Sequence, residues 1–245
     1  MPDTPLPPAL AAALRHVEEV FRGMTASPEG CLHCYGAEEL ALLATPGVRL
    51  DDDLLRMMCH EAPGILGDHP AVMRRLLPQF LAFVASGRFD SAGYQPTGLG
   101  RTAWWKWPPE QAGAVDAFLS VWWAETLATP VPDPDVQTVF QLCADMRQSV
   151  TPMLDHWAAA RSADTQERHL AVWVDRWIDD LLSDYGTSLF SWIPDPLVEI
   201  RTWLLRHASH LDPRVPLLAL PYDERWLVYD ETVAAAGSAR AAETS

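Results

Sequence analysis

One stretch, residues 108–127, constrains the fold more than any other part of the chain. Its apolar side chains recur at intervals of three and four residues, which matches the 3.6-residue turn of an α-helix. Two prolines and a glutamate open the stretch, and the fixed φ of proline suits a first helical turn. The face predicted to be buried comprises Val115, Phe118, Leu119, Trp122, Trp123, Thr126 and Leu127. The chain therefore contains at least one long amphipathic helix with an aromatic buried face.

The same spacing recurs along most of the chain, for example between Leu10 and Phe21 and between Met73 and Val84. No segment shows the apolar–polar alternation of a half-buried strand, and no sequence repeat is present. We therefore predict an all-α fold without significant sheet. It would be an irregular multi-helix bundle or a short α-solenoid of about eight to nine helices.

Residues 129–134 hold three prolines and predict a hinge between two helical halves. Residues 1–130 would form the N-terminal half and residues 131–236 the C-terminal half, and the two halves could also form a single domain. Residues 237–245 are predicted to be a disordered tail.

The C-terminal half is predicted to be built on a long antiparallel helical hairpin. Its first helix would run from Pro134 to Trp157, because apolar residues alternate gaps of three and four across this span. Pro152 should bend that helix. A short connection then leads to the predicted partner helix, which carries apolar residues from Leu170 to Leu181.

The charge and hydropathy of the chain restrict the classes of partner. The net charge of −15 argues against nucleic-acid binding, which needs clustered Lys and Arg, and does not favour an anionic membrane surface. No apolar run approaches the roughly 20 residues needed to span a bilayer. Met1 to Pro8 lack the basic and apolar segments of a signal peptide. We therefore predict a cytoplasmic protein, in which the four cysteines are thiols or metal ligands.

Cys31 and Cys34, in the sequence Cys-Leu-His-Cys, are the residues most suited to chemistry. Their spacing lets both sulfurs bind one Zn²⁺ ion at about 2.3 Å. The candidates for two further ligands are Cys59, His60, His33 and His69. Adjacent residues on a helix point about 100° apart, so only one of Cys59 and His60 could join the same ion. The sequence predicts a structural zinc site here. The alternative is a pair of reduced thiols, with Cys59 in the core.

A redox role for this pair is less favoured, because the pair does not lie between a strand and a helix.

Three tryptophans, Trp104, Trp105 and Trp107, lie in a glycine-rich stretch without helical periodicity. Exposed tryptophans dominate binding hot spots, so these three are candidates for a binding surface. If they are buried, they would instead fix the loop against the helix that carries Trp122 and Trp123.

A metalloenzyme is the alternative class of function. His207 and His210 lie three residues apart on a predicted helix, with Glu199 too far along the axis to reach the same ion unaided. Asp175, Asp179, Asp180 and Asp184 form an acidic run. Part of this run resembles the aspartate-rich Mg²⁺ motif of class I terpene synthases, but the second metal motif of that family has no match. A solvated helix face and surface histidines near a helix end are the simpler interpretations.

The first half of the chain resembles an uncharacterised bacterial family of helical proteins. The residues that carry the resemblance are the Cys31–Cys34 pair with the acid-capped helix after it, Leu76-Leu77-Pro78, and Trp107-Pro108-Pro109 with the helix that follows. The family has no assigned activity, so the resemblance implies a helical fold only. We predict an interaction or accessory protein that acts through an unknown protein partner, rather than an enzyme.

Overall fold

The computed structural model describes residues 5–87, 98–160, 164–183, 193 and 196–243, with side chains up to residue 234. These residues contain ten α-helices and no strand; two isolated β-bridges involve Gly30, Pro63 and Leu66. The predicted all-α fold is confirmed, with slightly more helices than expected. No helix within these ranges combines the length and apolar character needed to cross a membrane.

The chain divides into two compact units, Met1–Arg147 and Gln148–Ser245. The helices of the first unit are α1 (Pro8–Val20), α2 (Ala37–Ala41), α3 (Asp52–His60), α4 (His69–Ala85), α5 (Pro109–Ala128) and α6 (Val136–Arg147). Helix α1 packs on α4 and α5, α3 packs on α4, and α5 packs on α6. The helix predicted over residues 108–127 is α5, and its predicted face is buried from Val115 to Leu127.

The second unit contains α7 (Thr151–Ala160), α8 (Asp164–Leu182), α9 (Pro196–His207) and α10 (Tyr222–Glu243). Its core includes Trp157, whose ring lies 6.1 Å from that of Trp173 and 6.2 Å from that of Trp203. Two arginines bind the carbonyl groups that end α8: Arg201 Nε donates to Leu181 at 2.7 Å, and Arg225 Nη1 donates to Leu182 at 2.9 Å. These bonds satisfy carbonyls that lack a partner within the helix.

The single helix predicted from Pro134 to Trp157 is instead two helices, α6 and α7. Gln148 has a φ of +55°, a left-handed conformation that an α-helix cannot include, so α6 ends at Arg147. Pro152 does not bend a helix but is the second residue of α7, where its missing N–H costs nothing. Helix α6 packs on α5, so the contacts divide the chain at Arg147 rather than near residue 130.

Helix α10 continues to Glu243, through most of the segment predicted to be a disordered tail. Between Gly237 and Glu243 the chain has three alanines, an arginine and a glutamate, which are strong helix formers. Their combined propensity offsets the cost of one glycine, which is about 1 kcal/mol.

His69, the first residue of α4, is buried and makes stability depend on pH. Its Nε2 lies 3.0 Å from the Gly98 carbonyl oxygen, whereas Nδ1 has no hydrogen-bond partner among the described residues. Burial lowers the pKa of His69 below 6.5, so the unfolded chain binds its proton first as the pH falls. The contribution of His69 to the free energy of unfolding should therefore decrease as the pH falls below about 6.5.

We expect His69→Gln to reduce this pH dependence, because a glutamine amide can still donate to Gly98 but does not titrate. Urea unfolding of both proteins at a series of pH values between 5 and 8 measures the difference. If the free energy of unfolding changed equally with pH in the two proteins, the assignment of this pH dependence to His69 would be contradicted.

Candidate functional site

The Cys31–Cys34 loop is fixed to the segment before α4 by backbone contacts. Cys31 donates its N–H to Ile65 at 2.9 Å, and Gly67 donates its N–H to Glu29 at 2.9 Å. A Cβ atom at Gly30 would lie 2.9 Å from Leu40 Cδ2 and 3.3 Å from the Ile65 carbonyl oxygen, so a larger residue would force the Leu40 side chain to shift. The loop therefore has a defined conformation although its surface is exposed.

Within the loop, a tight turn brings the two thiols together. The Cys31 carbonyl accepts hydrogen bonds from the N–H groups of Cys34 and Tyr35, each at 3.0 Å. The backbone N–H groups of His33 and Cys34 and the Cys34 thiol bond to the Cys31 sulfur, and these bonds lower the pKa of Cys31. The same thiol–thiol bond raises the pKa of Cys34. The two cysteines therefore differ in acidity, with the thiolate favoured at Cys31.

The structure does not assemble the predicted zinc ligands. Cys59 is fully buried on α3, where desolvation raises its pKa strongly, and His60 is the next residue on that helix. In the described part of the chain, no three or more His, Cys, Asp or Glu side chains form a group that could hold a metal ion. The structure thus brings together Cys31 and Cys34 but not Cys59 or His60 with them. Zinc binding by the two loop thiols stays a prediction.

The three tryptophans predicted as a binding surface have different environments. Trp104 is buried and donates its Nε1–H to the Met146 carbonyl at 2.6 Å. Trp107 is also buried, 6.0 Å from the Phe21 ring, with the Arg74 guanidinium 4.8 Å from its own ring centroid. These two tryptophans fix the loop against neighbouring helices. Trp105 alone of the three is exposed, at 46%.

The residues considered for a metalloenzyme have other partners in the second unit. The His207 ring lies 4.7 Å from that of Trp203, and His210 Nε2 contacts Glu167 Oε1. Arg214 donates to Asp175 at 3.0 Å and to Asp179 at 3.2 Å. Asp175 and Asp179 therefore both lie beside the Arg214 guanidinium. Asp184 lies outside the described residues.

Helix α10 carries an aromatic stripe, which we define as Tyr222, Trp226, Tyr229 and Val233. Their spacing of four, three and four residues places them on one side of the helix. Neighbouring rings are in contact: the Trp226 centroid lies 6.3 Å from that of Tyr222 and 5.1 Å from that of Tyr229. Trp226 is 42% exposed and Val233 is 41% exposed, whereas the two tyrosines are half-buried. The stripe thus presents a continuous apolar surface.

Exposed acidic residues border this stripe on one side. Asp223 and Asp230 are exposed and lie seven residues apart, so they line one side of it. On the other side, the Tyr229 hydroxyl donates to Asp179 Oδ1 at 2.7 Å, and Asp179 is paired with Arg214. An exposed apolar surface with an acidic border is complementary to a ligand that is apolar and basic.

The sequence alone did not single out this stripe, although its three-and-four spacing was a signal. Such spacing is normally typical of a buried face. Only the exposure of Trp226 and Val233 distinguishes a binding surface from core.

No family model, no curated protein and no solved structure matches this chain. The resemblance of the first half to an uncharacterised bacterial family accordingly stays a prediction.

Proposed function

We propose that the chain is a cytoplasmic interaction or accessory protein and that its aromatic stripe binds a basic amphipathic helix of a partner protein. The observation that carries this proposal is the exposure of Trp226 within a contiguous apolar stripe. Tryptophan is enriched among the few interface residues that supply most of the binding energy.

The length and shape of the stripe fit a helical ligand. Tyr222 and Val233 lie eleven residues apart, about 16 Å along the axis, which matches roughly three turns of a second helix. A helix that places apolar residues at three-and-four spacing could pack along this length.

The borders of the stripe favour a basic ligand over other occupants. Asp223 and Asp230 would repel a nucleic acid or an anionic bilayer. They would also repel a second copy of this chain, because antiparallel pairing of two α10 helices would bring the same acids together. Lysine or arginine beside the apolar residues of a partner would instead form ion pairs with them.

A synthetic amphipathic helix of about 18 residues, with leucines on one face and lysines flanking them, provides the test. We expect isothermal titration calorimetry to detect binding to the full chain, with affinity that falls as salt rises. Trp226→Ala should weaken binding at least tenfold, or by about 1.4 kcal/mol.

Trp105→Ala is the matched control, because Trp105 is exposed to a similar extent, 46% against 42%, but lies in the other unit. It should leave the affinity unchanged. A second control replaces the lysines of the peptide with glutamates, which should abolish binding. Equal effects of the two tryptophan variants, or equal binding of the acidic peptide, would contradict the proposal. Self-association that is lost in Trp226→Ala would identify a second copy as the occupant instead.

A further inference from the structure

The four cysteines fall into two pairs with opposite environments. Cys59 and Cys143 are fully buried, whereas Cys34 is exposed and Cys31 is partly exposed. We propose that Cys31 and Cys34 form a redox-active dithiol that reduces low-molecular-weight disulfides by thiol–disulfide exchange.

The geometry of the loop favours reversible formation of a disulfide between these residues. The turn closed on the Cys31 carbonyl, which accepts from the Cys34 N–H at 3.0 Å, holds the two cysteines next to each other. The Cys31 N–H bond to Ile65 anchors the first cysteine to a separate segment. A disulfide therefore requires a small rotation of side chains that are already adjacent, rather than a rearrangement of the backbone.

The surroundings assign a different role to each cysteine. The N–H groups of His33 and Cys34 bond to the Cys31 sulfur and stabilise its thiolate, which is the nucleophilic form. The Cys34 thiol donates a hydrogen bond to that sulfur and is exposed. Cys31 is therefore the attacking residue and Cys34 the resolving residue.

The reaction balances as a two-electron exchange. The Cys31 thiolate attacks one sulfur of the disulfide, forms a mixed disulfide and releases the other half as a thiolate, which takes up the proton that Cys31 lost. Cys34 then loses its proton and attacks the Cys31 sulfur, which displaces the second half. The dithiol is oxidised to the Cys31–Cys34 disulfide, and the small disulfide is reduced to two thiols.

The experiment uses the full reduced chain and oxidised glutathione as the disulfide. We expect mass spectrometry after alkylation to show a disulfide between Cys31 and Cys34, with Cys59 and Cys143 still reduced. Cys34→Ser should accumulate one glutathione on Cys31, because the resolving thiol is missing. Cys31→Ser should react at least tenfold more slowly than Cys34→Ser. Both substitutions are in an exposed loop, and circular dichroism checks that the helices are retained.

Two measurements would overturn the proposal. In urea all four cysteines should react alike, so a rate advantage of Cys31 that persists after unfolding would show that the fold does not activate it. The native chain could instead contain about one equivalent of zinc that protects Cys31 and Cys34 from alkylation until a chelator is added. That result would favour the structural zinc site. A failure of glutathione to oxidise the metal-free pair would equally refute the dithiol.

Discussion

Replacement of Arg214 by methionine is expected to lower the free energy of unfolding by about 3–5 kcal/mol, the range measured when one partner of a buried ion pair is removed. The Arg214 guanidinium donates to both oxygens of Asp212, at 3.0 and 2.8 Å, and Asp212 is buried. These bonds raise the pKa of Arg214 further above its ordinary value. Methionine keeps most of the apolar stem but leaves the Asp212 charge without its guanidinium.

Asp175→Asn is the matched control for this prediction. Asp175 binds the same guanidinium at 3.0 Å, but its side chain is 75% exposed, so water replaces most of the lost interaction. We expect Asp175→Asn to change the free energy of unfolding by less than about 1 kcal/mol. Urea unfolding followed by circular dichroism measures both variants. A similar effect of the two substitutions would show that Arg214 acts through its surface pairs and not through Asp212.

Gly98→Ala is expected to destabilise the first unit by about 2–3 kcal/mol, at the upper end of the usual cost of overpacking. A Cβ atom at position 98 would lie 2.3 Å from the Cys59 carbonyl oxygen, far inside van der Waals contact. The Gly98 N–H donates to that same carbonyl at 2.9 Å, and the Gly98 carbonyl bonds to His69. The methyl group would therefore break contacts with both α3 and α4.

Gly113→Ala should have the opposite effect and raise the free energy of unfolding. Gly113 lies inside α5, and a Cβ atom there would meet no other atom within 4 Å. Alanine should stabilise the helix by about 1 kcal/mol, because it loses less backbone entropy on folding than glycine. Thermal unfolding compares the two variants directly. Destabilisation by both would indicate that the glycine effects are not caused by the local space around each position.

Helix α5 could be predicted from the sequence because a local repeat determines it. Each turn from Val115 to Leu127 supplies apolar residues to one face, and no distant residue is needed to recognise that pattern. The acidic cap of α3 was equally local: Asp51 Oδ1 accepts from the Leu54 N–H at 2.9 Å, as an N-cap residue should.

The break at Gln148 was not predictable in the same way. Apolar residues keep helical spacing through this position, so the pattern alone predicts a single helix that continues to Trp157. The left-handed φ of Gln148 ends α6. The spacing of apolar residues indicates which side chains would share a buried face. It does not show whether the backbone between them stays helical.

By itself, the sequence determined an all-α protein with a buried, tryptophan-rich face on α5, and it placed Cys31 and Cys34 within reach of one another. Only the tertiary structure decided which other side chains lie near these two cysteines. Cys59 packs in the core, while the Cys31 sulfur interacts with groups of its own loop. It also decided that the stripe containing Trp226 is exposed. The physical reason is that spacing fixes which side chains share a helix face, whereas burial depends on what packs against that face.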